Sequence, residues 1–163
     1  MSVRPKRALA RGVLPRQGTK AAHVNSRTHA ARRLESPRAL RRILVVEDDV
    51  NSREGLRGLL SAGGYGVDTA ADGWQALECI KQETYELAIV DLDLPVVHGI
   101  AMDGWDVARI VRAFCPDVSI IVVSGGGDEE TREAARQMEV AFLEKPLAMS
   151  DLRGVIAEFF PSV

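Results

Sequence analysis

From Ile43 onward the apolar positions follow two rhythms that alternate. The first is the short, nearly continuous run. Ile43-Leu44-Val45-Val46, Leu87-Ala88-Ile89-Val90, Val118–Val123 and Val140–Leu143 are of this kind, and Tyr65–Ala70, with Val67 and Thr69, is a weaker example. Runs of four to six β-branched and aliphatic residues predict strands buried on both faces. The second rhythm places apolar residues three and four apart. Leu56, Leu59 and Leu60 share one such stripe, as do Trp74, Leu77 and Ile80 with Ala76 beside them. Val107, Ile110 and Val111 form a third, and Leu152, Val155, Ile156 and Phe159 the last. Each predicts a helix with one face turned inward.

The punctuation agrees with the rhythm. Asp49 or Asn51 is placed to cap the first helix, and Gly63-Gly64 ends it. Asp72 or Gly73 opens the second. A loop from Val96 to Asp103 precedes a third helix over Gly104–Phe114, which Pro116 closes. Asp128-Glu129-Glu130 opens a fourth helix, reaching about Met138, with acids at the positive end of its dipole. Ser150 is the expected cap of the fifth.

Five strands alternating with five helices over short connections predict an α/β fold. The strands form a parallel sheet with right-handed crossovers and helices on both faces. Periodicity alone does not give the order of the strands. In any such sheet the carboxyl ends of the strands share one rim, where ligands bind.

Composition changes the picture at one end only. Residues 1–42 carry 12 of the 21 Lys and Arg and a single acid, Glu35, for +11, whereas residues 43–163 carry 9 bases and 22 acids, for −13. The first stretch shows no sustained apolar period and reads as a basic, disordered arm. Nucleic acid, acidic lipid, an organelle address or the acidic domain itself are its sharper readings, with nucleic-acid contact the minor one. No apolar run reaches the length of a membrane span. The two cysteines, Cys79 and Cys115, and three scattered histidines form no metal or disulfide pattern, which suits a cytoplasmic protein.

The chemistry lies at the strand ends. The first strand runs into Glu47, Asp48 and Asp49, the third into Asp91 and Asp93, the fourth into Ser124, and the fifth into Lys145. Carboxylates gathered on one rim repel each other unless a cation sits among them, and a hard divalent ion such as Mg²⁺ suits carboxylate oxygens, water and phosphate. A lysine and a hydroxyl beside that ion can hold an anion. A carboxylate nucleophile, a divalent ion and a lysine together fit phosphoryl transfer to Asp. Each piece alone has a plain structural reading as a cap or a turn.

Residues 43–160 resemble the receiver domain of two-component response regulators. The resemblance rests on Ile43-Leu44-Val45-Val46-Glu47-Asp48, Val90-Asp91-Leu92-Asp93-Leu94-Pro95, Val123-Ser124-Gly125 and Leu143-Glu144-Lys145-Pro146, in that order. It implies a flavodoxin-like, CheY-like doubly wound sheet of order 2-1-3-4-5, with a receiver over 43–161. It implies Asp91 as phosphoacceptor and Mg²⁺ (or Mn²⁺) held by Glu47, Asp48, Asp91 and the backbone carbonyl of Asp93. It further implies Lys145 and Ser124 as partners of the phosphoryl group, and Ser124 with Phe142 as the switch pair. The partners it implies are a sensor histidine kinase or a histidine phosphotransfer protein, and an output protein of unknown identity. The activity it implies is Mg²⁺-dependent self-phosphorylation and slow autodephosphorylation, with no other enzyme turnover.

The chain departs from the family pattern after Pro95. Val96–Ala101, with His98, is longer than usual, and both Gly99 and Gly104 are candidates for the glycine of that loop. Gly125-Gly126-Gly127 makes a soft start to the loop after the fourth strand. Because the last helix ends close to Val163, the expectation is a stand-alone receiver that binds a partner or relays phosphate. Two readings compete: a pseudo-receiver that binds partners without phosphate, and a flavodoxin-like FMN protein. The intact Asp48, Asp91 and Lys145 argue against the first. The acidic rim argues against the second, since FMN phosphate prefers helix N-termini and loop amides.

Overall fold

The computed structural model describes residues 40–99 and 101–161. The basic arm, apart from its last three residues, lies outside them, so the disorder expected there has no structural counterpart to set beside it. The elements are β1 (Arg42–Val46), α1 (Val50–Ala62), β2 (Gly66–Ala70), α2 (Gly73–Gln82) and β3 (Leu87–Asp91), followed by α3 (Gly104–Phe114), β4 (Ser119–Ser124), α4 (Glu129–Gln137), β5 (Ala141–Glu144) and α5 (Met149–Phe159). All strand pairs are parallel, in the order β2-β1-β3-β4-β5. The doubly wound α/β sheet is therefore the one the resemblance implied.

Period-two alternation in the central strands separates two cores. Leu44, Val46, Ala88, Val90, Ile120 and Val122 face α2, α3 and α4. Ile43, Val45, Leu87, Ile89, Ile121 and Val123 face α1 and α5. This is why the central runs are almost wholly apolar, with only Ser119 at the start of β4 interrupting them: both faces are covered. The edge strands β2 and β5 are only half-buried, and β2 correspondingly tolerates Asp68 and Thr69 in its run.

Several local expectations resolve one way. Asp49 rather than Asn51 caps α1, accepting from the Ser52 amide at 2.8 Å. Asp72 caps α2 through the Gln75 amide at 2.8 Å. Gly64, at φ +86°, supplies the left-handed residue after α1.

Ser150 does not cap α5. The helix starts from the carbonyl of Ala148, which accepts from Asp151 and Leu152 amides. Ser150 therefore lies inside the first turn, where its hydroxyl turns to Asp151 Oδ1 at 3.1 Å. Trp74 also departs from its expected inner place. The buried face of α2 is Gly73, Ala76 and Ile80, and Trp74 stays at the margin. Close to that helix start, a Cβ on Gly73 would stand 2.4 Å from the Met102 sulfur, so the opening turn of α2 is already tightly packed.

Candidate functional site

The register of the sheet brings the strand ends together. Asp91 is the last residue of β3 and pairs with Val123, and Ser124 is the last residue of β4 and pairs with Glu144. Both are buried, as is Glu47, which follows β1. The Glu47 amide extends the ladder by donating to Ala70 O at 3.0 Å. Asp48 is exposed. Carboxylate oxygens of Glu47, Asp48 and Asp91 lie within 4.8 Å of one another.

Lys145 reaches this cluster from the end of β5. Its Nζ donates to Asp91 Oδ2 at 2.6 Å and stands 3.2 Å from Glu47 Oε2. The other Asp91 oxygen accepts from the Asp93 amide at 3.0 Å. Burial, reinforced by the Asp91 carboxylate, holds the Glu47 carboxyl above the usual glutamate range, with Lys145 opposing both. Burial also pushes the Lys145 ammonium down, but its hydrogen bonds to Asp91 and Glu47 outweigh this and leave it raised.

Ser124 approaches from the other side. Its Oγ accepts from the Gly126 amide at 3.1 Å and lies 3.4 Å from Asp93 Oδ2, and the Gly125 amide lies 3.5 Å from the same oxygen. Asp93 therefore faces the β4–α4 turn with its carboxylate and Asp91 with its amide. Phe142 stands apart from the cluster, half-buried on β5. The Arg132 guanidinium lies 5.2 Å from its ring centroid. Arg132 also donates to Gly127 O at 3.0 Å and to Glu144 Oε2 at 2.9 Å.

Of the two candidate loop glycines, Gly104 packs against the acceptor strand. A Cβ there would sit 2.1 Å from the Asp91 carbonyl oxygen, whereas one on Gly99 would meet nothing. Gly99 and His98 instead form a turn with φ of +74° and +53°. His98 and Gly99 thus make a turn that lies in sequence between Asp91 and the glycine that packs against it. Beside the cluster, a cavity of about 510 Å³ opens between α1 and the β5–α5 loop, lined among others by Glu47, Gly55, Asp91, Lys145 and Met149.

A protein-family model described as "Response regulator receiver domain" matches residues 43–157. The chain belongs to the response regulator receiver domain family. With that assignment comes the phosphoacceptor role in two-component signalling. Curated relatives include the response regulator MprA of Mycolicibacterium vanbaalenii, 35% identical over 68% of this chain and 46% of the relative. The chain thus spans less than half the length of that regulator. Among solved structures, a CheY-like receiver from Methanospirillum hungatei superposes with TM-score 0.66 at 29% identity, over 74% of this chain and 93% of the other. TrrA from Thermotoga maritima, solved with Mg²⁺-BeF, gives 0.62 at 28% identity over 74% of this chain and all of that one. Among the described residues of this receiver, no helix is long and apolar enough to cross a membrane.

Two contributors were not anticipated from the sequence. Arg132 is a charged residue on a charged helix, with no pattern to single it out. Arg53 donates from Nη1 to the carbonyls of Glu47 at 2.8 Å and Asp48 at 2.9 Å. A signal for Arg53 did exist: a cation in the first turn of a helix opposes the dipole, so something else must hold it there.

Proposed function

We propose that this receiver accepts a phosphoryl group on Asp91 from a phosphohistidine of a sensor kinase or phosphotransfer protein. One observation carries the reading: the buried Asp91 carboxylate accepts from the Lys145 ammonium at 2.6 Å and lies within 4.8 Å of the carboxylates of Glu47 and Asp48. Three hard oxygen donors within 4.8 Å are comparable with the span of about 4 Å across an octahedral Mg²⁺ shell. The donor set therefore fits Mg²⁺ or Mn²⁺, held by Glu47, Asp48, Asp91 and the carbonyl of Asp93. When bound, the ion supplies charge neutralisation to phosphate oxygens.

The chain's own groups supply the rest. An Asp91 oxygen attacks phosphorus in line, the P–N bond to the phosphohistidine ring, protonated on its other nitrogen, breaks, and neutral imidazole leaves. Lys145, freed from its bond to the acceptor oxygen, turns to the phosphoryl group. The acyl phosphate carries nearly two negative charges where the carboxylate carried one, a net gain of about one. At ~4 Å from an ammonium that charge is worth about 4 kcal/mol in an effective dielectric of 20, less whatever screening and prior pairing remove. That is enough to bias a two-state loop. The Ser124 hydroxyl, now shared with Gly126 and Asp93, moves to the new oxygens. Phe142 then repacks, and the α4–β5 face presents a changed surface to an output protein. Water slowly hydrolyses the acyl phosphate and resets the switch.

The test is incubation with acetyl phosphate and Mg²⁺, followed by intact-mass analysis. The expected result is a labile gain of one phosphoryl group in wild type and none in Asp91→Asn. An equal gain in Asp91→Asn rules out Asp91 as the acceptor.

A further inference from the structure

We propose that Arg53 is a positioning residue for the cation site. It fixes the β1–α1 turn, through the carbonyls of Glu47 and Asp48, so that their two carboxylates are presented toward Asp91. The inference rests on the cation site described under Proposed function.

Three observations support it. First, one guanidinium nitrogen bridges two successive carbonyls at 2.8 and 2.9 Å, both normal charge-assisted distances. Second, Arg53 forms no ion pair with any carboxylate among the described residues, although acids surround it in sequence. Its charge is directed to the backbone of the turn instead. Third, the remaining bonds of the turn leave that backbone segment to Arg53. The Glu47 amide belongs to the sheet, the Asp49 amide donates to Glu47 Oε1 at 3.2 Å, and the Asp49 carboxylate is spent on capping α1. Outer hydrogen-bond partners orient the residues that hold a metal, here through their main chain, and losing such partners typically costs ten- to a hundred-fold in metal affinity.

The idea has a built-in opposite. A cation near an acidic site repels Mg²⁺, so if Arg53 acted by its charge alone, its removal would tighten binding. If it acts by orienting the turn, removal weakens binding. The sign of the change separates the two.

The experiment is calorimetric titration of MgCl₂ into the full chain, with Arg53→Ala, Arg53→Met, Arg53→Lys and Asp48→Asn alongside wild type. We expect the Mg²⁺ Kd to rise roughly ten-fold or more in Arg53→Ala and Arg53→Met. The rise should be smaller in Arg53→Lys, which keeps a charged donor. The Mg²⁺-induced gain in Tm should shrink in the same order. A purely structural role would lower Tm equally with and without Mg²⁺. Arg53→Met keeps the aliphatic stem and decides the matter if Arg53→Ala does not fold. Affinity equal to or tighter than wild type in Arg53→Met overturns the inference. If wild type binds no Mg²⁺, or Asp48→Asn binds it equally well, the site reading fails and this inference fails with it. A normal wild type and a weakened Asp48→Asn beside an unaffected Arg53→Met removes the role of Arg53 alone.

Discussion

Two turns meet at the carboxyl rim of this sheet, and they are built in opposite ways. The β1–α1 turn is short, carries charged side chains and is tied at nearly every backbone group: the sheet takes the Glu47 amide, Glu47 the Asp49 amide, and Arg53 the two carbonyls. The β4–α4 turn is three glycines, Gly125–Gly127, held more sparsely: the Gly126 amide donates to Ser124 Oγ at 3.1 Å, Arg132 donates to Gly127 O at 3.0 Å, and the Gly125 amide reaches Asp93 only at 3.5 Å. In the proposed function, one turn carries carboxylates that keep their aim, and the other follows Ser124, the hydroxyl that travels. On that reading the rim divides into a fixed half that binds and a soft half that responds. The difference lies in backbone hydrogen bonds and glycine content more than in the kind of chemistry each half bears.

The sharpest way to break this comparison is to add the same methyl group to each half. Beside the fixed half, at the end of β3 that its carboxylates face, a Cβ at Gly104 would meet backbone: Asp91 O at 2.1 Å and Leu92 Cα at 2.6 Å. Backbone cannot yield, so Gly104→Ala is expected to cost about 3 kcal/mol in urea-unfolding measurements and to displace Asp91. On the soft side, a Cβ at Gly127 would meet the tips of Glu144 and Arg132 at 2.7 to 2.9 Å. Those tips can swing away, so Gly127→Ala should fold with little loss while loosening the Arg132 cover on Phe142. Comparable losses at the two sites would contradict the division.

A smaller effect is expected from stiffening the soft turn. Gly125 and Gly126 have no left-handed φ and open space around an added Cβ. Replacing both with Ala should stabilise the protein by roughly 0.4–1 kcal/mol per site, by restricting the unfolded chain. The same change should slow any phosphorylation-dependent change in the α4–β5 face, followed by hydrogen exchange. Faster switching in the stiffened variant would count against the role given to these glycines.

The smallest expected effect concerns acid. Both helices that follow these turns are capped alike, Asp49 by the Ser52 amide and Asp128 by the Thr131 amide. Those bonds hold each carboxyl below its ordinary 3.8. A lowered carboxyl favours the folded state above the ordinary value, and that contribution is lost as pH falls through the folded value. Asp→Asn at either position keeps a cap without the titration. Each variant should therefore show a slightly flatter fall of Tm below about pH 4. Equal flattening is expected, because capping is one thing the two turns share.

How far the site was legible depends on the range of each contact. The central strands could be read because both of their faces are buried, which forces continuous apolar runs. The edge strands gave weaker patterns because one side is wet. Caps were legible to within a residue or two. Asp49 prevailed over Asn51 because the side chain must sit just before the first turn to reach the amide three residues on. Ser150 failed for the same reason, lying inside the turn it was expected to open. Trp74 satisfied the helical period yet stayed at the margin, because period marks a face and does not tell how much volume the neighbouring elements leave.

The order of elements and the carboxylates, hydroxyl and lysine at strand ends were thus determined by the sequence itself, since both follow from local periodicity and from which residue ends each run. The tertiary structure alone decided what lies between them. Lys145 meets Asp91 across 54 residues and Glu47 across 98. Gly104 rather than Gly99 lies against the acceptor strand, and Arg53 turns from solvent to two carbonyls. Such contacts depend on the strand order 2-1-3-4-5 and on close approach of backbone. A one-dimensional pattern records which side chains are apolar, but not which distant ones will stand within three ångströms of each other.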